Sequence, residues 1–252
     1  MRRFVVFNTK GGVGKTTLAC GLAAAFTRHG YRAVVCDADP QGSLTSWFGL
    51  EGRRGLAETI VGTLDPRFAA ISIRNQLHVV PTGDATMLEL ISRRTAGEIP
   101  PYAKEIPAHM LIVDTAAGVS GLTDAFLRAG RPEIIVPVSV DGGYLPLAAL
   151  ERSLRTVEDT LGRGPDYVVP TMYDRRTASS DRAVADLRSL CGQILSSPIR
   201  TNAKLARSAW AHEIPADPKS TSDFGRLAEL IYARWGDVVA VPSRLTVPAD
   251  VR

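Results

Sequence analysis

The sequence predicts an α/β protein with a doubly wound, mostly parallel sheet flanked by helices, and two observations predict it. Short apolar runs recur along the chain with residue after residue hydrophobic, the pattern of strands buried on both faces rather than one. Helical patterns lie between them, so each strand is followed by a crossover, and ligands should bind beyond the carboxyl ends of the strands.

The first run is "FVVFN" (4–8), followed by the glycine-rich stretch "TKGGVGKTT" (9–17). Leu18, Leu22 and Phe26 then fall at near-helical spacing, and Gly30 supplies a stop. Further strands are read at "RAVVCDAD" (32–39), "HVVP" (78–81), "MLIVDTA" (110–116), "EIIVPVSV" (133–140) and "YVVPTMY" (167–173). Between the third and fourth of these six runs, "RRTAGEIPPYAKEIPAH" (93–109) carries three prolines and reads as a surface connection. Phe224, Leu227, Ile231 and Trp235 outline a terminal helix, with Ser222 as its expected cap. A single domain over 1–236 is expected, followed by a tail, 237–252, broken by Pro242 and Pro248.

Composition narrows the function. With 45% hydrophobic and 22% charged residues the chain reads as globular, and no apolar run approaches the roughly 20 residues of a membrane span. The opening "MRRFVVFN" is too short for a signal-peptide core, so a cytoplasmic protein is expected. Cys20, Cys36 and Cys191 are far apart and read as buried small hydrophobes, and the four histidines stand alone, which disfavours iron–sulfur and zinc chemistry. Residues 172–207 hold seven Arg and Lys against three Asp, a difference of +4 that equals the net charge of the chain. That segment is where a polyanion is expected.

The densest chemistry is at the first loop. Gly11, Gly12 and Gly14 permit backbone conformations that aim N–H groups, with that of Val13, at a phosphate on a helix N-terminus. Lys15 would reach the β- and γ-phosphates, Thr16 would ligate magnesium, and Thr17 completes the stretch. The usual GxxxxGK pattern needs glycine at position 9, where this chain has Thr9, and Lys10 is an extra lysine. Asp37 and Asp39 end one strand and Asp114 another, positions suited to magnesium or, more blandly, to capping the next helix.

The segment "KGGVGKTT" resembles the deviant Walker A motif of the ParA/MinD family of ATPases. "CDADPQGSLTSWFG" (36–49) is similar to the family's switch I, "LIVDTAAG" (111–118) to its Walker B and switch II, and "TMYDRRT" (171–177) to a segment of the partition branch; "DPKS" (217–220) also fits. The resemblance implies ATP and Mg2+ as cofactors and a homodimer closed on ATP, with Lys10 crossing to the partner's nucleotide. It assigns Asp39 to positioning the attacking water, Asp37 and Asp114 to the magnesium environment, and Gly118 to sensing the γ-phosphate. In the partition branch the ATP dimer binds double-stranded DNA without sequence preference; Arg176 and Lys204 match such positions, and Arg200 and Arg207 would extend the patch. A ParB-like or other cargo adaptor would stimulate hydrolysis, and the ATP-bound form would associate with the nucleoid. Ala116 and Ala117 stand where many partition ATPases have paired prolines, closer to MinD-like relatives. The proline-broken tail offers no amphipathic membrane helix, so no membrane partner is expected. Two other readings remain at this stage: an ATP-switch adaptor without DNA binding, and a metabolic enzyme related to dethiobiotin synthetase or a cobyrinic acid amidase.

Overall fold

The computed structural model of the chain describes residues 1–74, 76–93, 108–141, 146–214 and 218–235. Strand β1 (Arg2–Val6) runs through the glycine loop into helix α1 (Lys15–Arg28). Then come β2 (Ala33–Ala38), the short helices α2 (Ser43–Trp47) and α3 (Leu56–Ile60), β3 (Ile71–Arg74), β4 (Leu77–Val80) and α4 (Ala85–Arg93). The second half consists of β5 (Met110–Thr115), α5 (Gly121–Arg128), β6 (Glu133–Ser139), α6 (Leu147–Leu161), β7 (Tyr167–Thr171), α7 (Ala178–Cys191), α8 (Ala203–Trp210) and α9 (Pro218–Trp235).

The strands form one sheet in the order β3-β4-β2-β5-β1-β6-β7. All neighbours are parallel except β3, which pairs antiparallel with β4. Successive side chains point to opposite faces, which is why the strands are apolar throughout. Phe4 and Val6 join Leu22, Phe26, Phe224 and Ile231 on the α1 and α9 side. Val5 and Phe7 join Leu122, Leu150 and Val184 on the side of α5, α6 and α7. The α1–α9 contact is close at Gly21, where a Cβ would stand 2.2 Å from Phe224 Cζ. Only a glycine admits that ring.

The six predicted strands are present, and Gly30 follows α1 at φ 82 as the expected stop. Three expectations need correction. Strand β3 is an addition to the six; its "ISIR" alternates exposed and half-buried residues at the sheet edge, unlike the doubly buried runs. Helix α9 begins at Pro218, so Ser222 lies inside it and accepts a hydrogen bond from Arg226 (2.7 Å) rather than capping. Proline at the first helical position has the required φ and no N–H to lose. Cys20 and Cys36 are buried as expected, but Cys191 is only half-buried. Residues 94–107 of the predicted connection and the tail, with the boundary at 236, lie outside the described residues. Among the described residues no helix is long and apolar enough to cross a membrane.

Candidate functional site

The parallel strands present their carboxyl ends on one edge, and the glycine loop leaves β1 there. Gly12 (φ 71) and Gly14 (φ 83) adopt the left-handed backbone that glycine alone takes without strain, Gly14 being the residue before the first turn of α1. Helix α1 has no side-chain cap and no acidic residue in its first turn, so its N–H groups and positive dipole end face the loop. Thr171 at the end of β7 donates its hydroxyl proton to the Val13 carbonyl (2.8 Å), tying the middle of the loop to the sheet.

The start of the loop is held by residues that carry no signal in the sequence. Asn8 Nδ2 donates to the Pro137 carbonyl (2.7 Å), and Asn8 Oδ1 accepts from the Lys10 N–H (2.7 Å). Ser153, buried in the middle of α6, accepts the Thr9 N–H (3.0 Å), while the Thr9 hydroxyl donates to the Ala149 carbonyl (3.2 Å). Threonine in place of the usual glycine therefore gains an anchor to α6. The backbone at Lys10 is fixed, yet its side chain is exposed and its ammonium meets no partner among the described residues.

Lys15 runs the other way. It is buried, and its Nζ donates to the Lys10 carbonyl (3.3 Å), spanning the loop it follows. Burial lowers its pKa, while Asp114 and Asp39 act in the opposite sense.

Asp37 and Asp114 are register partners on β2 and β5, both buried. Asp37 Oδ2 accepts from the N–H and the hydroxyl of Thr45 (2.7 Å each), and Oδ1 from the Asp39 N–H (3.3 Å). This is the capping role open to it from the sequence, and it ties β2 to α2. Neither oxygen of Asp114 has a hydrogen-bond partner by ordinary geometry, and burial, then Asp37, push its pKa well above the usual carboxylate range. The Thr16 hydroxyl and Lys15 act in the opposite sense. Burial likewise raises Asp37, to about 6, against the Thr45 hydrogen bonds. A buried carboxylate with two open oxygens beside a second carboxylate and a threonine hydroxyl is a hard-cation donor set. These residues fit Mg2+.

Asp39 is half-buried and faces a cavity of about 540 Å³, shared with Gln41, Glu89, Arg93, Ala117 and Ser120. Across it, Gly118 sits at φ 89, and Ala117 lies 3.9 Å from where a Cβ on Gly11 would be. The two segments that resemble switches thus flank one opening. A second, smaller recess of about 180 Å³ borders Gly14, Thr17 and Leu18 and is closed by Met172, Leu205 and Phe224. Met172 is held at φ 56, a strained conformation for its type, with the Ser139 hydroxyl donating to its Sδ (3.4 Å). The glycine loop and "TMYDRRT" both contribute residues to this recess, whose remaining wall from Ile199 to Leu205 and Phe224 carries no motif.

The basic residues separate into two groups. Lys204 and Arg207 lie exposed on α8, three residues apart and so on one face. Arg176 is 87% exposed, its guanidinium forked onto Asp174 (2.7 Å) just before α7. Arg200 does not join that surface, contrary to expectation. Its guanidinium is turned inward and forks onto buried Asp223 of α9, with Nε at 3.0 and 2.9 Å from the two oxygens.

With this geometry established, residues 4–215 match the family model for the CobQ/CobB/MinD/ParA nucleotide binding domain. The chain belongs to this family. The chromosome-partitioning ATPase Soj of Thermus thermophilus is 31% identical over 248 residues, spanning 93% of this chain and 96% of Soj. Two solved structures share the fold. The cobyrinic acid a,c-diamide synthase of Mycobacterium smegmatis, with bound ATP analogue and magnesium, superposes with a TM-score of 0.76 at 23% identity, covering 94% of this chain and 96% of that one. The cell division ATPase MinD of Pyrococcus furiosus gives 0.74 at 18%, covering 92% and 99%.

Proposed function

We propose that this family member is a ParA-like positioning ATPase that closes as a dimer on ATP, holds DNA without sequence preference, and releases it on hydrolysis. ATP and Mg2+ are its nucleotide and metal. The observation that carries the reading is the pair of lysines: Lys15 is buried and committed to its own loop, whereas Lys10 beside it is exposed and unengaged among the described residues. A charge placed so can act on a second copy's phosphates, which couples nucleotide binding to association.

In the site the Gly11–Gly14 backbone N–H groups wrap the phosphates, and Lys15 neutralises the β and γ oxygens. Thr16 and Asp114 would hold the magnesium, which would supply further neutralisation of phosphate charge, and Asp37 fixes the strand end beside them. Asp39, at the mouth of the larger cavity, orients the attacking water. Gly118 offers its N–H to the γ-phosphate, so the segment from Ala116 to Ser120 changes position when that phosphate leaves. The smaller recess, apolar and next to Thr17, takes the base. The likeness to Soj supports partition or positioning of an intracellular cargo, with hydrolysis stimulated by a ParB-like or other adaptor.

The exposed Arg176, Lys204 and Arg207 form the DNA surface. The test is binding to random-sequence duplex with ATP, ADP and no nucleotide across a salt series. ATP-dependent binding that weakens with salt supports the reading, with Arg176→Ala reducing the salt slope by about one unit per protomer, or about two for the dimer, because each copy neutralises one phosphate fewer. ATP-induced dimers that ignore DNA would favour the MinD-like adaptor instead.

A further inference from the structure

The ion pair between Arg200 and Asp223 joins residues 23 apart in sequence and sits directly behind the smaller recess. Arg200 lines that recess, and so does Phe224, the residue after Asp223. The side chain of Arg200 is 16% exposed and that of Asp223 1%. Asp223 takes three kinds of donor: the Arg200 backbone N–H (2.9 Å), the Arg200 guanidinium fork, and the guanidinium of Arg226. One turn earlier on α9, buried Ser220 receives the Asn202 side-chain amide (3.1 Å), while Asn202 Oδ1 caps α8 through the Lys204 N–H (3.0 Å). The segment from Ile199 to Asn202 is thereby fastened at two points to the first turns of α9. Its other side is fastened to β7 and the residues that follow it: Ile199 N–H donates to the Pro170 carbonyl (2.8 Å) and Thr201 N–H to the Tyr173 carbonyl (2.9 Å).

We propose that Asp223, through Arg200, is a positioning residue for the nucleoside half of the nucleotide. This rests on the reading of the recess as the base site. Three of the polar side chains of the recess wall are spent on fold contacts: Arg200 on Asp223, Asn202 on α8 and Ser220, Thr171 on Val13, which leaves the hydroxyls of Thr17 and Thr201. Recognition there rests on the shape of the wall and on those two hydroxyls, and the wall's position depends on a buried acid that never touches the ligand. A bidentate fork on a buried carboxylate fixes both distance and plane, so the recess is set to one width. The phosphate cradle has its own anchors at Asn8, Ser153 and Thr171, none of which touches Asp223.

The experiment separates the two halves of the ligand. Steady-state ATPase kinetics and competition by inorganic tripolyphosphate, which has phosphates and no base, are measured for the wild-type chain, Asp223→Asn and Arg200→Lys. The expected result is a KM for ATP raised roughly tenfold to a hundredfold in Asp223→Asn, with kcat and the tripolyphosphate inhibition constant unchanged. Arg200→Lys keeps the charge but not the fork and gives a smaller rise of the same kind. It carries the test if Asp223→Asn does not fold. A parallel weakening of ATP and tripolyphosphate binding would overturn the proposal, because it marks general loosening. So would a KM unaltered in both variants. If the wild-type chain binds tripolyphosphate but discriminates nothing between it and ATP, the base site itself is misplaced and the inference falls with it.

Discussion

Replacing Asp37 by Asn should make the metal-free protein more stable near neutral pH, although it removes a buried charge that accepts three hydrogen bonds. Burial holds Asp37 at about 6 against an ordinary 3.8, a shift of roughly two units, and at 1.36 kcal/mol per unit this is about 3 kcal/mol against the charged form. Asparagine keeps an acceptor for the Thr45 N–H and hydroxyl but turns its amide toward the Asp39 N–H, losing that 3.3 Å bond at a cost of about 1 kcal/mol. The electrostatic gain wins by about 2 kcal/mol. At 2–4 °C per kcal/mol for a domain of this size, melting should rise by roughly 4–8 °C at about pH 8. The sign reverses with acid. Between about pH 4 and 6 the folded chain keeps a proton on Asp37 that the unfolded chain has released, so wild-type stability falls as pH rises through that window. Below it both forms are neutral and the gain vanishes, leaving only the missing hydrogen bond. Thermal unfolding followed by circular dichroism in a chelator, from about pH 4 to 8, reads this out. A variant less stable than wild type at the alkaline end, or a difference flat across the range, would refute the reasoning.

Three further outcomes are expected. Gly21→Ala, ordinarily favourable in a helix, should destabilise by about 1–3 kcal/mol, because its Cβ would enter the ring of Phe224; a raised melting temperature would contradict the packing described. Ser153→Ala leaves the Thr9 N–H without its acceptor and should cost about 1–3 kcal/mol and weaken ATP binding, measured by unfolding and calorimetry; unaltered ATP affinity would show that the start of the loop needs no anchor on α6. Lys10→Ala should shift the stability of the free chain by no more than about 0.5 kcal/mol, since its exposed ammonium has no partner among the described residues; a large drop in nucleotide-free melting would mean a structural role.

What the sequence discloses follows from how local each signal is. Six strands are readable because doubly buried strands are apolar at every position, and the glycine loop because its residues are contiguous. Strand β3 is not, since "ISIR" at an antiparallel edge looks like any half-exposed segment. The start of α9 is easily misplaced because Ser222 suits a cap by type, while the proline that opens the helix four residues earlier reads as part of a motif. Arg200 groups with the surface cations by sequence because its partner Asp223 lies on a helix further along the chain, and no spacing rule joins a loop to a helix 23 residues on. Ser153 is silent for the same reason, with 144 residues between it and Thr9. Asp114 is recognisable from its place at a strand end, but that its oxygens are open while those of Asp37 are engaged is a property of the folded arrangement alone.

The central claim is that Lys10 serves a nucleotide held by another copy of the chain. Its most direct test is the molar mass in solution, by light scattering, of the wild-type chain and Lys10→Ala with ATP and Mg2+, with ADP and Mg2+, and without nucleotide. The expected result is a dimer for wild type only with ATP and Mg2+, and a monomer for Lys10→Ala in every condition although it still binds ATP. A wild-type chain that stays monomeric while saturated with ATP, or a Lys10→Ala chain that dimerises as readily, would contradict it.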